Sequence, residues 1–194
     1  MTTTTAPDLF TNVHKGIRRA LFAAAAALGR AGDDEPRLTA ARSLLRQALA
    51  FVAHHGDNED VLLVPLLRER APDVQARMSD AHATLHEPLA ALQAALEHAP
   101  AAELYARTCR FLARYLDHMS DEETTFEPRI RAVLDLEQLA DFGRQSVART
   151  APSDQRMMLS FMLPAMARAD VDMLLARLPA SLASELRPLA DDAG

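Results

Sequence analysis

Seven side chains in this sequence have the types and spacing to hold metal ions. His55 and Glu59 stand four residues apart in "HHGDNEDVLLVP", and His118 and Glu122 repeat that spacing in "HMSDEETTFEP". Pro65 and Pro128 follow at one common offset, so the chain writes His-x-x-x-Glu-x-x-x-x-x-Pro twice. "HATLH" adds His82 and His86, and His14 stands alone nearer the start. On an α-helix, residues four apart lie about 40° apart in projection and one turn apart along the axis, so each pair points to one place. Imidazole nitrogens and carboxylates without a thiolate suit iron, manganese or zinc. Seven ligands exceed what one tetrahedral zinc uses, and two carboxylates can each bridge a pair of ions. The count implies a dinuclear centre with an open coordination position.

Helices must bring these residues together. Leu and Ala dominate, Gly is scarce at 6 residues, aromatics are 5% and Trp is absent, which points to an all-α chain. Ile17, Leu21, Ala24 and Leu28 recur at helical spacing and predict a first helix over about 9–30, stopped by "GRAGDDEPR". A second segment reaches about Arg70, and Gly56 and Pro65 predict a kink or local loosening within it. A third helix is expected over about 73–98 with a kink at Pro88, and a fourth over about 102–133 carrying Leu104, Phe111, Leu112, Tyr115 and Met119 inward. Four long helices with short connections fold most simply as an antiparallel up-down bundle, here residues 8–133. Residues 134–194 read as a C-terminal helical extension docked on the bundle or on a protein partner, with Ser153 or Asp154 as a cap. Residues 1–7 read as a disordered lead.

Composition narrows the partners. Lys and Arg number 21 against 27 Asp and Glu, a net charge of −6, and no basic stripe tracks phosphates, so nucleic acid is not expected. The longest apolar run, "ALFAAAAAL", is far below the ~20 residues that span a bilayer. The single cysteine, Cys109, and an opening without the basic start and apolar core of a signal peptide make a soluble, cytoplasmic protein the expectation.

The pattern of one histidine, then His-x-x-x-Glu, then His-x-x-x-His, then histidine followed closely by an acid resembles the hemerythrin family, including its bacterial branch, the HHE cation-binding domain. The resemblance covers roughly residues 9–133. It implies two non-haem iron ions with a bridging oxo or hydroxo group, one ion held by His82, His86 and His118, the other by His14 and His55, with Glu59 and Glu122 bridging. Manganese and zinc are alternatives. Glu123 competes with Glu122, and His54 with His55; the internal repeat favours Glu122 and His55.

What the family resemblance implies for function is binding or sensing of dioxygen, or of a related small oxidant such as nitric oxide or peroxide, at the iron with fewer histidines. Ile17, Leu21 and Phe51 are expected to line a dry pocket there. The alternative is an oxidant-consuming di-iron enzyme of peroxidase, ferroxidase or nitric-oxide-handling type, with His54, Tyr115 and Glu123 available for protons. A metal-free helical interaction module comes third. Whether the chain is an enzyme stays open at this point.

Overall fold

The computed structural model describes residues 8–191, so the expected lead at 1–7 lies outside the described residues. The elements are α1 (Thr11–Ala31), α2 (Glu35–Asn58), a π turn (Glu59–Leu63), α3 (Val64–Leu67), α4 (Pro72–Ala95), α5 (Ala101–Asp121), a second π turn (Glu122–Phe126) and α6 (Glu127–Val133). They continue as α7 (Leu136–Arg149), α8 (Pro152–Met162), a 3-10 turn (Leu163–Ala165), α9 (Arg168–Leu175) and α10 (Ala180–Asp191). No strand occurs among the described residues, and no described helix is long and apolar enough to cross a membrane.

The chain reverses after α1 at Gly32, whose φ of 52° is open to glycine at little cost. Asp34 then starts α2 by accepting a hydrogen bond from the Arg37 amide. Pro88 lies inside α4 without ending it. The loosening expected around Pro65 takes a definite form, and the same form recurs before Pro128. The Val64 amide donates to the Glu59 carbonyl and the Glu127 amide to the Glu122 carbonyl, so each turn holds one residue more than an α-helical turn. A helical proline cannot donate and its ring clashes with the carbonyl four residues back. For Pro65 and Pro128 those carbonyls belong to Val61 and Thr124, both inside the widened turns.

The extra residue also sets the facing of side chains. His55, Glu59, Leu63 and Leu67 are all buried, as are His118, Glu122, Phe126 and Ile130. Three steps of four residues would rotate an unbroken α-helix by about 120°. The π turn absorbs that drift and keeps both rows pointing inward.

Two apolar clusters reveal the topology. Each long helix passes from one to the other, with its site residues between. Along α1 the order is Phe10, His14, Ile17, and along α2 it is Val52, His55 and Glu59, Leu63. In α4 it is Met78, His82, Leu85, and in α5 Tyr115, His118 and Glu122, Phe126. Phe10, Leu63, Met78 and Phe126 share one cluster, whereas Ile17, Val52, Leu85 and Tyr115 share the other. Consecutive helices therefore run in opposite directions, in an all-α, hemerythrin-like up-down bundle. α1 packs on α2 and α5, and α4 on α5 and α2, closing the ring.

The tail begins with a capping box in which the Asp135 carboxylate accepts from the Gln138 amide and the Gln138 side chain accepts from the Asp135 amide. α8 lies on α1, where Met158 and Phe161 join the main cluster. Gly16 permits the approach: a Cβ there would stand 2.5 Å from Met162 Cγ and 3.1 Å from Met162 Cα. Neither Ser153 nor Asp154 caps α8, correcting the sequence expectation. The cap position is Ala151, and Pro152 opens the first turn, where its missing amide costs nothing.

Candidate metal centre

Between the two apolar clusters lies a buried polar layer. His14, His55, Glu59 and Glu122 form one group whose potential ligand atoms all lie within 4.8 Å of one another. Glu59, His82, His118 and Glu122 form a second on the same criterion, sharing both carboxylates with the first. Glu59 Oε1 is 3.4 Å from His55 Nε2 and its Oε2 3.3 Å from His82 Nε2. Glu122 Oε1 is 3.0 Å from His118 Nε2 and 3.4 Å from His82 Nε2, and its Oε2 is 3.2 Å from His14 Nε2. Each carboxylate thus turns one oxygen toward each pair of histidines. α1 with α2 supplies one pair, and α4 with α5 the other.

The donor atoms fit cations better than they fit one another. Both Glu59 oxygens and Glu122 Oε2 are enclosed and accept no well-directed hydrogen bond. Burying a carboxylate oxygen with nothing to satisfy it costs several kcal/mol, roughly, unless a charge or a metal compensates. His14 Nε2 meets His55 Nε2 at 3.0 Å, two nitrogens turned to one point. Two imidazoles and two carboxylate oxygens on each side match the nitrogen and oxygen set that iron, manganese or zinc takes. The residues present could hold two such ions bridged by Glu59 and Glu122.

Charge in the layer is tightly balanced. Burial pulls His14 toward the neutral form, but contact with Glu122 and Glu123 and the charges of Glu122 and Glu59 outweigh it and raise its pKa to about 9. The same opposition at His82, with burial set against Glu122, Glu59 and Asp60, ends at about 11. His55 falls well below its ordinary value, through burial and then the positive His14 beside it. Burial and the neighbouring Glu122 charge push Glu59 up to about 8. Burial would lift Glu122 too, yet contacts from His118, His14 and His82 hold it well below the usual carboxylate range. Metal ions would compete with these protons for the same lone pairs.

A second ring of carboxylates touches the far sides of two histidines. His14 Nδ1 is 2.9 Å from Glu123 Oε1, and His82 Nδ1 is 2.6 Å from Asp60 Oδ1. Glu123 is itself gripped by Arg18, with Nη1 donating to Oε1 at 2.7 Å and Nη2 to Oε2 at 3.1 Å. Contact with His14 and Arg18 holds Glu123 at about 2, against partial burial. The structure thus places Glu123 behind a histidine, outside both four-residue groups, while Glu122 belongs to both. His54 turns away from the layer: its Nε2 lies 2.7 Å from Thr150 Oγ1 and 2.9 Å from Asn58 Nδ2. Tyr115 is buried with its ring 5.4 Å from that of His118.

His86 is not brought to the layer. It is exposed and stands outside both groups, so the resemblance-based expectation of three histidines at one ion meets a geometry with two on each side. The reason lies in the buried stripe of α4. Val74, Met78, His82, Leu85 and Leu92 define it, and His86 falls roughly 90° from its centre at about 100° per residue. Leu85 takes the inward position one turn beyond His82. Sequence reasoning passed over Asp60 and Arg18, and held Glu123 as an alternative ligand or a proton source. The signal available for two of them was an acid directly after each glutamate of the repeat: Glu59 then Asp60, Glu122 then Glu123.

The family model of the hemerythrin HHE cation binding domain matches residues 5–130. Neither the curated proteins nor the solved structures include a match to this chain.

Proposed function

The chain belongs to the hemerythrin HHE cation-binding family, and from that premise we propose a two-ion, non-haem iron centre that binds or senses dioxygen or a related small oxidant. His14 and His55 hold one ion, His82 and His118 the other, and Glu59 and Glu122 join them. The observation that carries this reading is the pair of buried His/Glu groups sharing both carboxylates. Manganese and zinc satisfy the same donors; iron is the ion that adds redox chemistry. Iron held in the ferrous state by these residues would supply the pair of electrons that a dioxygen ligand accepts.

The protein's own contribution is enclosure and proton control. Phe10 stacks on His14 with ring centroids 5.4 Å apart, Ile17 and Phe51 are buried about one turn from His14 and His55 on their helices, and Leu21 is buried a further turn along α1, so the surroundings of His14 and His55 are apolar. A dry wall favours a bound oxidant that leaves unchanged, because proton delivery would drive its reduction. The oxidant-consuming reading has one observation in its favour. Glu123 and Arg18, each about a quarter exposed, connect solvent to His14 Nδ1 and could relay protons.

Spectroscopy separates the two. Protein loaded with iron under argon is scanned before air, after air and after flushing. A visible band that appears and bleaches is the expected result and supports reversible binding. A change that persists supports oxidation by an enzyme, and no band at all contradicts the di-iron reading.

A further inference from the structure

The doubled motif extends by one residue beyond its glutamate, and that residue has a shared geometry. Asp60 and Glu123 each follow a shared carboxylate, and each is the second residue of a π turn. Each reaches Nδ1 of a histidine in the opposite hairpin: Asp60, from the turn after α2, meets His82 of α4, while Glu123, from the turn after α5, meets His14 of α1. A turn closed over five residues separates consecutive side chains by less than the α-helix's 100° or so, which lets both acids of a pair serve the same layer.

We infer that Asp60 and Glu123 are the positioning residues of the centre, each fixing one histidine of the opposite hairpin with its Nδ1 proton outward and its Nε2 lone pair inward. This rests on the two-ion reading above. A neutral imidazole carries a single N–H, and the carboxylate that accepts it decides which nitrogen is left to ligate. At His82 and His14 the bonded nitrogen is Nδ1, and Nε2 is the atom that faces Glu122 in both. The two supports differ in stiffness. Arg18 holds both oxygens of Glu123, whereas no arginine or lysine clamps Asp60 among the described residues and its side chain is 39% exposed. The His82 side is therefore the more easily disturbed.

The test uses zinc, which is diamagnetic, in the full chain. Zinc uptake is titrated against a competing chelator, and the ring nitrogens of His14 and His82 are followed by proton–nitrogen NMR. Asp60→Ala is expected to weaken one of two zinc affinities about 10- to 100-fold and to erase the protected Nδ1 proton of His82 while leaving that of His14. Glu123→Ala is expected to do the converse. Asp60→Asn, whose amide oxygen still accepts the proton, keeps the His82 signal and recovers part of the affinity, which a general loss of folding would not allow. Variants that keep both wild-type affinities and both signals, or that lose the two signals together, overturn the inference. If the wild-type chain takes up fewer than two zinc ions, the two-ion reading itself fails and takes this inference with it.

Discussion

The two hairpins of the bundle, α1 with α2 and α4 with α5, supply the same inventory in different settings. Each gives two histidines, one shared glutamate and one outer acid. The first hairpin is held from behind by the tail. Met162 sits against Gly16, two residues from His14, and Arg149 bonds Asp57 at 2.7 Å and Asn58 at 3.2 Å, between His55 and Glu59. His54 reaches Thr150, and Lys15 approaches Asp170 at 4.0 Å. Among the described residues, none of these tail contacts falls on the residues flanking His82 and His118. The Nδ1 atom of His118 is buried without a partner. A repeated motif fixes the donors of both positions, and its surroundings make the two positions unequal.

Removing a shared carboxylate should abolish the comparison altogether. Glu59→Ala or Glu122→Ala is expected to lower uptake from two ions to none, read by native mass spectrometry, since each side chain serves both groups. A variant that still holds one ion at wild-type affinity would show that the carboxylate belongs to one side only. Removing a histidine should split the comparison. His55→Ala is expected to cost the ion of the first hairpin and His118→Ala that of the second, each leaving one ion per chain.

Proton counting probes both positions in the parent chain. His82, raised to about 11, and His14, raised to about 9, both carry protons at neutral pH in the ion-free chain. Metal uptake near pH 7 should therefore release more than one proton, and affinity should rise with pH through about 9, where His14 loses its proton, and on toward about 11, where His82 does. Calorimetry in buffers of different ionisation enthalpy reads the number; zero release would contradict the charge balance described above.

The clasp itself can be loosened. Gly16→Val drives a side chain into Met162 and its backbone, with an expected stability loss of about 1–3 kcal/mol by denaturant titration. Metal affinity should fall on the His14 side and not on the His82 side; an equal fall on both would show that the tail does not distinguish them. Arg149→Ala removes a partly exposed contact and should cost less than about 1 kcal/mol in the same titration.

Much of this centre was legible in the sequence because its rules are local. A histidine and a glutamate four residues apart share a helix face, and a proline ten residues after the histidine recurs, so the two motifs announce each other. The family match over residues 5–130 agrees with that pattern and with the all-α bundle. Less local features stayed hidden. A helical proline signals strain, but not that the strain is relieved by a π turn that starts at the glutamate. His86 obeys the spacing rule with His82, and only the burial of Leu85 shows which side of α4 faces inward. Asp60 drew no notice and Glu123 stood as a competing ligand or proton source, because the histidines they support lie 22 and 109 residues away. Gly16 gave no hint of its role until α8 was seen against it.

The most direct measurement is anomalous diffraction from crystals of the iron-loaded protein. A shared two-ion centre would give two peaks about 3.5–4 Å apart, one beside His14 and His55 and one beside His82 and His118, with Glu59 and Glu122 contacting both. A single peak, or two peaks too far apart for one carboxylate to touch both, would contradict it.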